Sequence, residues 1–158
     1  MSADELLGRW LTRLGDWMDM HGQRAGSVVV AALSGGVLGV AAWLEPATEG
    51  HGTHEQLGLE PCTFLALTEA PCPMCGATTT FSLMADMRWI EGFLNQPFAA
   101  CLFLVAAGSF AVGAVEAVAP RGRWTRIAAY LQPYELRIVV GLGVFMVLAW
   151  IYKWAIML

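Results

Sequence analysis

Three stretches of this chain hold almost no charge, and each is long enough to cross a lipid bilayer. Residues 25–44 read AGSVVVAALSGGVLGVAAWL with no ionisable side chain, residues 97–119 carry only Glu116, and residues 138–158 carry only Lys153. About 20 such residues in a helix span a hydrocarbon core of about 30 Å. In that solvent every backbone N–H and C=O must be satisfied within the protein, which a helix achieves and a lipid-exposed irregular chain does not. Composition agrees, with 57% hydrophobic and only 14% charged residues among 158, where a soluble domain carries about 25% charge. So few charges cannot cover a globule of this size. The sequence therefore predicts an all-α integral membrane protein, a single domain with three transmembrane helices and the lipid bilayer as part of its solvent.

The connections complete the expected layout. In residues 1–24, Leu6, Leu7, Trp10, Leu11, Leu14, Trp17 and Met18 recur at helical spacing, opposite Arg9, Arg13, Asp16 and Asp19. This pattern predicts an amphipathic helix lying in the membrane interface before span one. Asp4, Glu5, Asp16 and Asp19, with no small-x-small site after the first apolar run, predict a retained anchor rather than a cleaved leader. Gly35 and Gly39 give span one a GxxxG face on which another helix can pack closely. Pro97 is expected to open span two, where a missing N–H costs nothing. Glu116 sits near the far end of that span, within reach of Arg121 or Arg123. Trp150, Tyr152, Lys153 and Trp154 read as an interfacial belt with a snorkelling lysine, and His21 as an interfacial residue.

Arginine placement sets the expected orientation. Seven basic residues flank one side: Arg9, Arg13 and Arg24 before span one, and Arg121, Arg123, Arg126 and Arg137 in the 120–137 connection. The other side has Arg88 and Lys153, with seven acids in the 45–96 connection. Positive residues favour the cytoplasmic face. The N-terminus is thus expected inside, with residues 45–96 and the C-terminus outside a bacterial cytoplasmic (inner) membrane. A net charge of −4 argues against a nucleic-acid partner, which calls for a basic face.

The 45–96 connection carries Cys62, Cys72 and Cys75, the last two in Pro71-Cys72-Pro73-Met74-Cys75-Gly76. Pro73 and Gly76 punctuate a turn, after which residues 77–94 can form one short external helix with Phe81, Met84, Met87, Ile90 and Phe93 or Leu94 on one side. A helix beginning there aims N–H groups at the thiols and favours thiolate. Three chemistries remain open: a structural disulfide among Cys62, Cys72 and Cys75, redox exchange through Cys72 and Cys75, or a zinc site drawing on the three cysteines with His51 and His54. A c-type haem attachment is disfavoured because Gly76, not His, follows Cys75. His51 and His54 sit in a polar stretch that suits solvated loop residues, and Cys101, inside span two, suits a small packing residue.

Residues 62–97 resemble a family of small bacterial membrane proteins catalogued as a domain of unknown function (number 2752). Its hallmark is a cysteine, a spacer with Leu-Thr-Gly, then Cys-Pro-x-Cys-Gly-x-Thr-Arg, a helix, a Gly-Asp pair and an Asn-Pro pair. Cys62, Leu67, Thr68, Cys72, Pro73, Cys75, Gly76 and Thr78 match. Glu69 stands for the glycine, Thr79 for the arginine, Ala85-Asp86 for Gly-Asp and Gln96-Pro97 for Asn-Pro. The resemblance implies the topology and the cysteine cluster but no reaction, and Thr79 cannot supply whatever charge the arginine carries. No catalytic acid–base pattern stands out. The leading expectation is an accessory or scaffold subunit bound to other membrane subunits, with a cysteine-stapled external cap and no assigned cofactor. The alternative is membrane thiol–disulfide exchange or metal handling through Cys72 and Cys75.

Overall fold

The computed structural model describes residues 3–157, and the side chains of all of these except 3–7, 9, 14 and 16–19. All regular structure among them is helical: α1 (Ala3–Trp43), α2 (Thr63–Thr68), α3 (Ala77–Ala85), α4 (Trp89–Asn95), α5 (Pro97–Val118), α6 (Arg123–Leu131) and α7 (Glu135–Met157), with 3₁₀ turns at Thr53–Leu57 and Gln132–Tyr134. Three helical runs are long and apolar enough to span a membrane: Met20–Trp43, Pro97–Val118 and Arg123–Met157. The all-α, three-span architecture is thus as expected. Span two opens at Pro97, capped by the Gln96 side chain, which accepts from Ala99 N.

The structure departs from the expected boundaries in three places. The amphipathic segment and span one are one continuous helix of 41 residues, about 60 Å long at 1.5 Å per residue. No proline or side-chain cap lies between the segment and the span, and Gly22 and Gly26 weaken a helix without stopping it. Most of the expected apolar face (Leu6, Leu7, Leu14, Trp17 and Met18) lies outside the described side chains, while Trp10 and Leu11 are exposed. The single helix expected over 77–94 is two. After α3 the chain turns through Met87 at φ 61°, with Arg88 N donating to Leu83 O and Met87 N to Met84 O. Those two bonds form a Schellman stop, usually built on glycine. Finally, the 120–137 connection is itself mostly helical. The 3₁₀ turn holding Pro133 joins α6 to α7 in one run of 35 residues.

Span one pairs mainly with span two. The two backbones approach closely at Gly113 of α5, where a Cβ would stand 3.0 Å from Ser27 O and 3.1 Å from Ala31 N of α1. Of the expected GxxxG pair, Gly35 lies under Phe110, 2.9 Å from where its Cβ would be, but Gly39 faces open space. The helices therefore meet over one glycine from each, Gly35 of span one and Gly113 of span two. At the arginine-rich end Arg24 Nε donates to Ala117 O at 2.7 Å. Glu116 is 1% exposed and accepts from Arg121 N at 2.6 Å and from Arg123 Nη1 at 2.6 Å, as its position near the span's end suggested. Span three touches span two through the edge-on pair Phe98–Phe145 and exposes Leu136, Val139, Val140 and Leu148, side chains that suit lipid.

The most deeply buried side chains do not lie mid-span. Thr53, Thr79, Thr80, Ser82, Met84 and Gln96 gather at the cysteine end, and most are polar. There the turns, α3 and α4 form a cap over the ends of the three spans. Phe81 of α3 meets Phe103 of α5 edge-on at 5.5 Å, so the cap reaches below the first turns of span two.

Candidate functional site: a cysteine pocket in the cap

The Cys72–Cys75 turn closes through Cys75 N donating to Cys72 O at 2.9 Å, and Ala77 N donates to Met74 O at 3.0 Å. Gly76 follows at φ 82°, a left-handed conformation that glycine adopts without strain, and α3 starts there. This geometry gathers the sequence candidates. A cavity of about 340 Å³ is lined by Cys62, Cys72, Cys75, His51, His54 and Thr79, among others. All four cysteines are free thiols; Cys75 is buried and Cys62 and Cys72 are part-exposed. The Cys72 thiol interacts with those of both Cys62 and Cys75. Cys101 does not line the cavity.

Electrostatics run against one sequence expectation. Burial raises the Cys72 thiol above its ordinary range, and contact with Cys62 adds to this, although a backbone bond at Met74 opposes it. Burial raises Cys75 as well, reinforced by repulsion from Cys72 and Cys62 and opposed by the Lys153 ammonium. The N-terminus of α3 does not offset this desolvation, so both groups are held as thiols rather than thiolates. His54 Nε2 lies 3.2 Å from Glu60 O. Among the described residues no three His, Cys, Asp or Glu side chains are arranged to hold a metal ion. The zinc set of Cys62, Cys72, Cys75, His51 and His54 shares one cavity but is not assembled as a coordination shell.

What sequence reasoning missed is the scaffold behind the thiols. Lys153 does not snorkel. It is 2% exposed, and its ammonium donates to Asn95 Oδ1 at 2.7 Å and Gly50 O at 3.1 Å. Asn95 Nδ2 donates to Thr80 Oγ1 at 2.9 Å and Gly76 O at 3.2 Å. Trp150 Nε1 donates to Pro71 O at 2.7 Å, Tyr152 Oη to Leu94 O at 2.7 Å and Gln96 Nε2 to Pro73 O at 3.2 Å. Thr53 and Thr79 share a hydroxyl–hydroxyl bond of 2.8 Å, and Ser82 Oγ donates to Leu44 O. Span three thus holds Pro71 through its last turns, while Gln96 at the head of span two holds Pro73. The belt pattern of Trp150, Tyr152 and Lys153 was visible in sequence, but nothing in that pattern distinguishes lipid headgroups from a protein cap as the partner.

Fold and site together define a three-span helical membrane protein with one ordered cap that gathers three thiols in a pocket. Residues 62–110 match the family described as "Protein of unknown function (DUF2752)". The match starts at the first of the three cysteines and ends midway along α5, leaving out the lysine of span three. No curated protein and no solved structure matches the chain.

Proposed function

We propose that this chain is a membrane thiol–disulfide exchange protein acting through Cys72, with Cys75 and Cys62 as alternative partners. One observation carries the reading: the cap is already pinned by hydrogen bonds from Trp150, Lys153, Asn95 and Gln96, none of which involves sulfur. A disulfide staple would duplicate that work. Three thiols lining one cavity, the Cys72 thiol interacting with both others, instead suit a disulfide that forms, breaks and changes partner. The arginine distribution supports a pocket on the non-cytoplasmic side of a bacterial inner membrane, where disulfides persist.

In the exchange, a Cys72 thiolate attacks one sulfur of a partner disulfide. The new S–S bond forms as the old one breaks, and the departing partner sulfur leaves with the electron pair and takes a proton. The Cys75 or Cys62 thiolate then attacks the Cys72 sulfur, closing an internal disulfide and releasing the second partner thiol. Two electrons and two protons pass to the partner; in reverse, a partner dithiol is oxidised.

Equilibrating the purified full chain in glutathione buffers, quenching with an alkylating agent and mapping the cysteines by mass tests this. A reversible internal disulfide that requires Cys72 is expected, with a Cys62→Ser, Cys75→Ser double variant accumulating a mixed disulfide with glutathione. No reversible disulfide, or a Cys72→Ser chain that loses abundance and assembly, would return the cluster to a structural staple. The subunit reading retains an observation of its own: α1 continues beyond the apolar run that begins at Met20, with Trp10 and Leu11 more than half exposed. Gentle purification from native membranes tests it through whether another subunit accompanies the full chain and is lost on Trp10→Ala.

A further inference from the structure

A second cavity, about 530 Å³, lies on the outer face of spans one and two, walled by Gly36, Val37, Val40, Phe81 and Leu102 among others. Leu33, Val37 and Val40 are exposed within span one, so the groove opens onto the hydrocarbon. Its upper end is formed by Met74, Ala77 and Thr78, and the same three residues line the cysteine cavity. Lipid-facing groove and thiol pocket therefore share one wall, the turn and first helical residues around Cys75. Both volumes fall within the ~300–1,000 Å³ of small-molecule sites.

We propose that this groove binds a lipid-soluble quinone, its isoprenoid tail along Gly36 and Val40 and its ring at the Met74–Thr78 rim that the groove shares with the thiol cavity. The inference rests on the exchange reading and names the acceptor of its electrons. Three observations select this occupant. The groove lining contains no charged side chain, which suits an uncharged tail. The cysteine cavity is lined by no lysine or arginine, so a phospholipid phosphate would find no cation there, whereas a quinone ring needs none. Thr78 lies on both linings, and its hydroxyl makes no hydrogen bond among the described residues, leaving a donor for a carbonyl oxygen. The reaction balances: the S–H bonds of Cys72 and Cys75 break, one S–S bond forms, and two electrons and two protons reduce the quinone to its hydroquinone.

The test uses the reduced full chain in lipid nanodiscs without oxygen, with a decyl-tailed benzoquinone as probe. Quinol absorbance and cysteine mass are followed together, and the water-soluble oxidant diamide serves as control. One quinol per disulfide is expected. A Cβ at Gly36 meets nothing within 4 Å, so Gly36→Leu fills the groove without straining the backbone. It should raise the half-saturating quinone concentration at least fivefold while diamide still oxidises the thiols at the wild-type rate; Val37→Trp should do the same independently. No quinol from the wild-type chain, or unchanged saturation in both variants, overturns the proposal. If glutathione exchange proceeds while quinone does not react, this proposal fails alone. If neither reacts, the exchange reading fails with it.

Discussion

Replacing Gly76 with alanine tests how the pocket is held. At φ 82° an alanine pays the left-handed penalty of about 1–2 kcal/mol. Its Cβ would also fall inside 3.0 Å of Gly50 O, with Asn95 Nδ2 at 3.1 Å and Lys153 Nζ at 3.2 Å. The first neighbour is backbone and cannot rotate away, so the Gly50 turn must move. Its carbonyl then leaves Lys153, and Asn95 leaves Gly76 O, two hydrogen bonds worth about 1 kcal/mol each. Together these give a loss of about 3–4 kcal/mol for Gly76→Ala. Gly39→Ala is the control, because a Cβ there meets nothing within 4 Å. Alanine should then be neutral or stabilise the helix by up to about 1 kcal/mol. Reversible unfolding in mixed detergent micelles measures both, and alkylation of Cys75, 5% exposed in the intact cap, reports whether the pocket has opened. A Gly76→Ala cost under about 1 kcal/mol, or an alkylation rate at Cys75 equal to wild type, would refute the claim that the Gly50–Gly76 contact closes the pocket; the threshold is the worth of one hydrogen bond.

Three further outcomes follow from the same geometry. Lys153→Met removes the cation that favours the Cys75 thiolate, so the pH profile of Cys75 alkylation should move to higher pH; an unmoved profile would show that the lysine is only a hydrogen-bond donor. The reduced chain should be most stable below the ordinary thiol range and lose stability as pH rises through about 8.5 and beyond, because Cys72 and Cys75 are raised in the folded state and the unfolded chain ionises first. Unfolding at stepped pH checks this, and the dependence should vanish in a Cys72→Ser, Cys75→Ser double variant. Gly113→Val must push α1 from α5, since both facing atoms, Ser27 O and Ala31 N, are backbone within 3.1 Å; crosslinking of cysteines placed across the two spans should fall.

The spans were legible because lipid imposes one rule, an uninterrupted apolar helix, which residues 25–44 satisfy without exception and residues 97–119 break only at Glu116, near the far end. The cysteine pocket was legible as a cluster for a similar reason: the Pro73 and Gly76 punctuation forces a turn that brings Cys72 near Cys75. The rest depended on contacts between distant parts of the chain. The stop at Met87 uses a left-handed methionine where a helix-ending glycine would have been recognisable. Thr79, read as a lost arginine, is instead a fully buried hydroxyl paired with Thr53, 26 residues away. Lys153 shows no sign in its local sequence that its partners are Gly50 and Asn95, 103 and 58 residues earlier.

The uneven distribution of order has a physical cause. In the spans, lipid tails resemble leucine, so an apolar face has little reason to prefer a neighbouring helix over the bilayer. Span three accordingly exposes Leu136, Val139 and Leu148 and meets span two at few side chains. A buried polar group has a strong preference, because leaving it unpaired costs about 1–3 kcal/mol. Position along span three is therefore set at its end by Trp150, Tyr152 and Lys153, each donating to a named acceptor in the cap. None of these bonds involves sulfur, so under the proposed exchange the Cys72–Cys75 turn would not depend on a disulfide to hold it. A centre that must accept and release a disulfide needs that independence, since a cap stapled by its own reactive bond would loosen each time it was reduced.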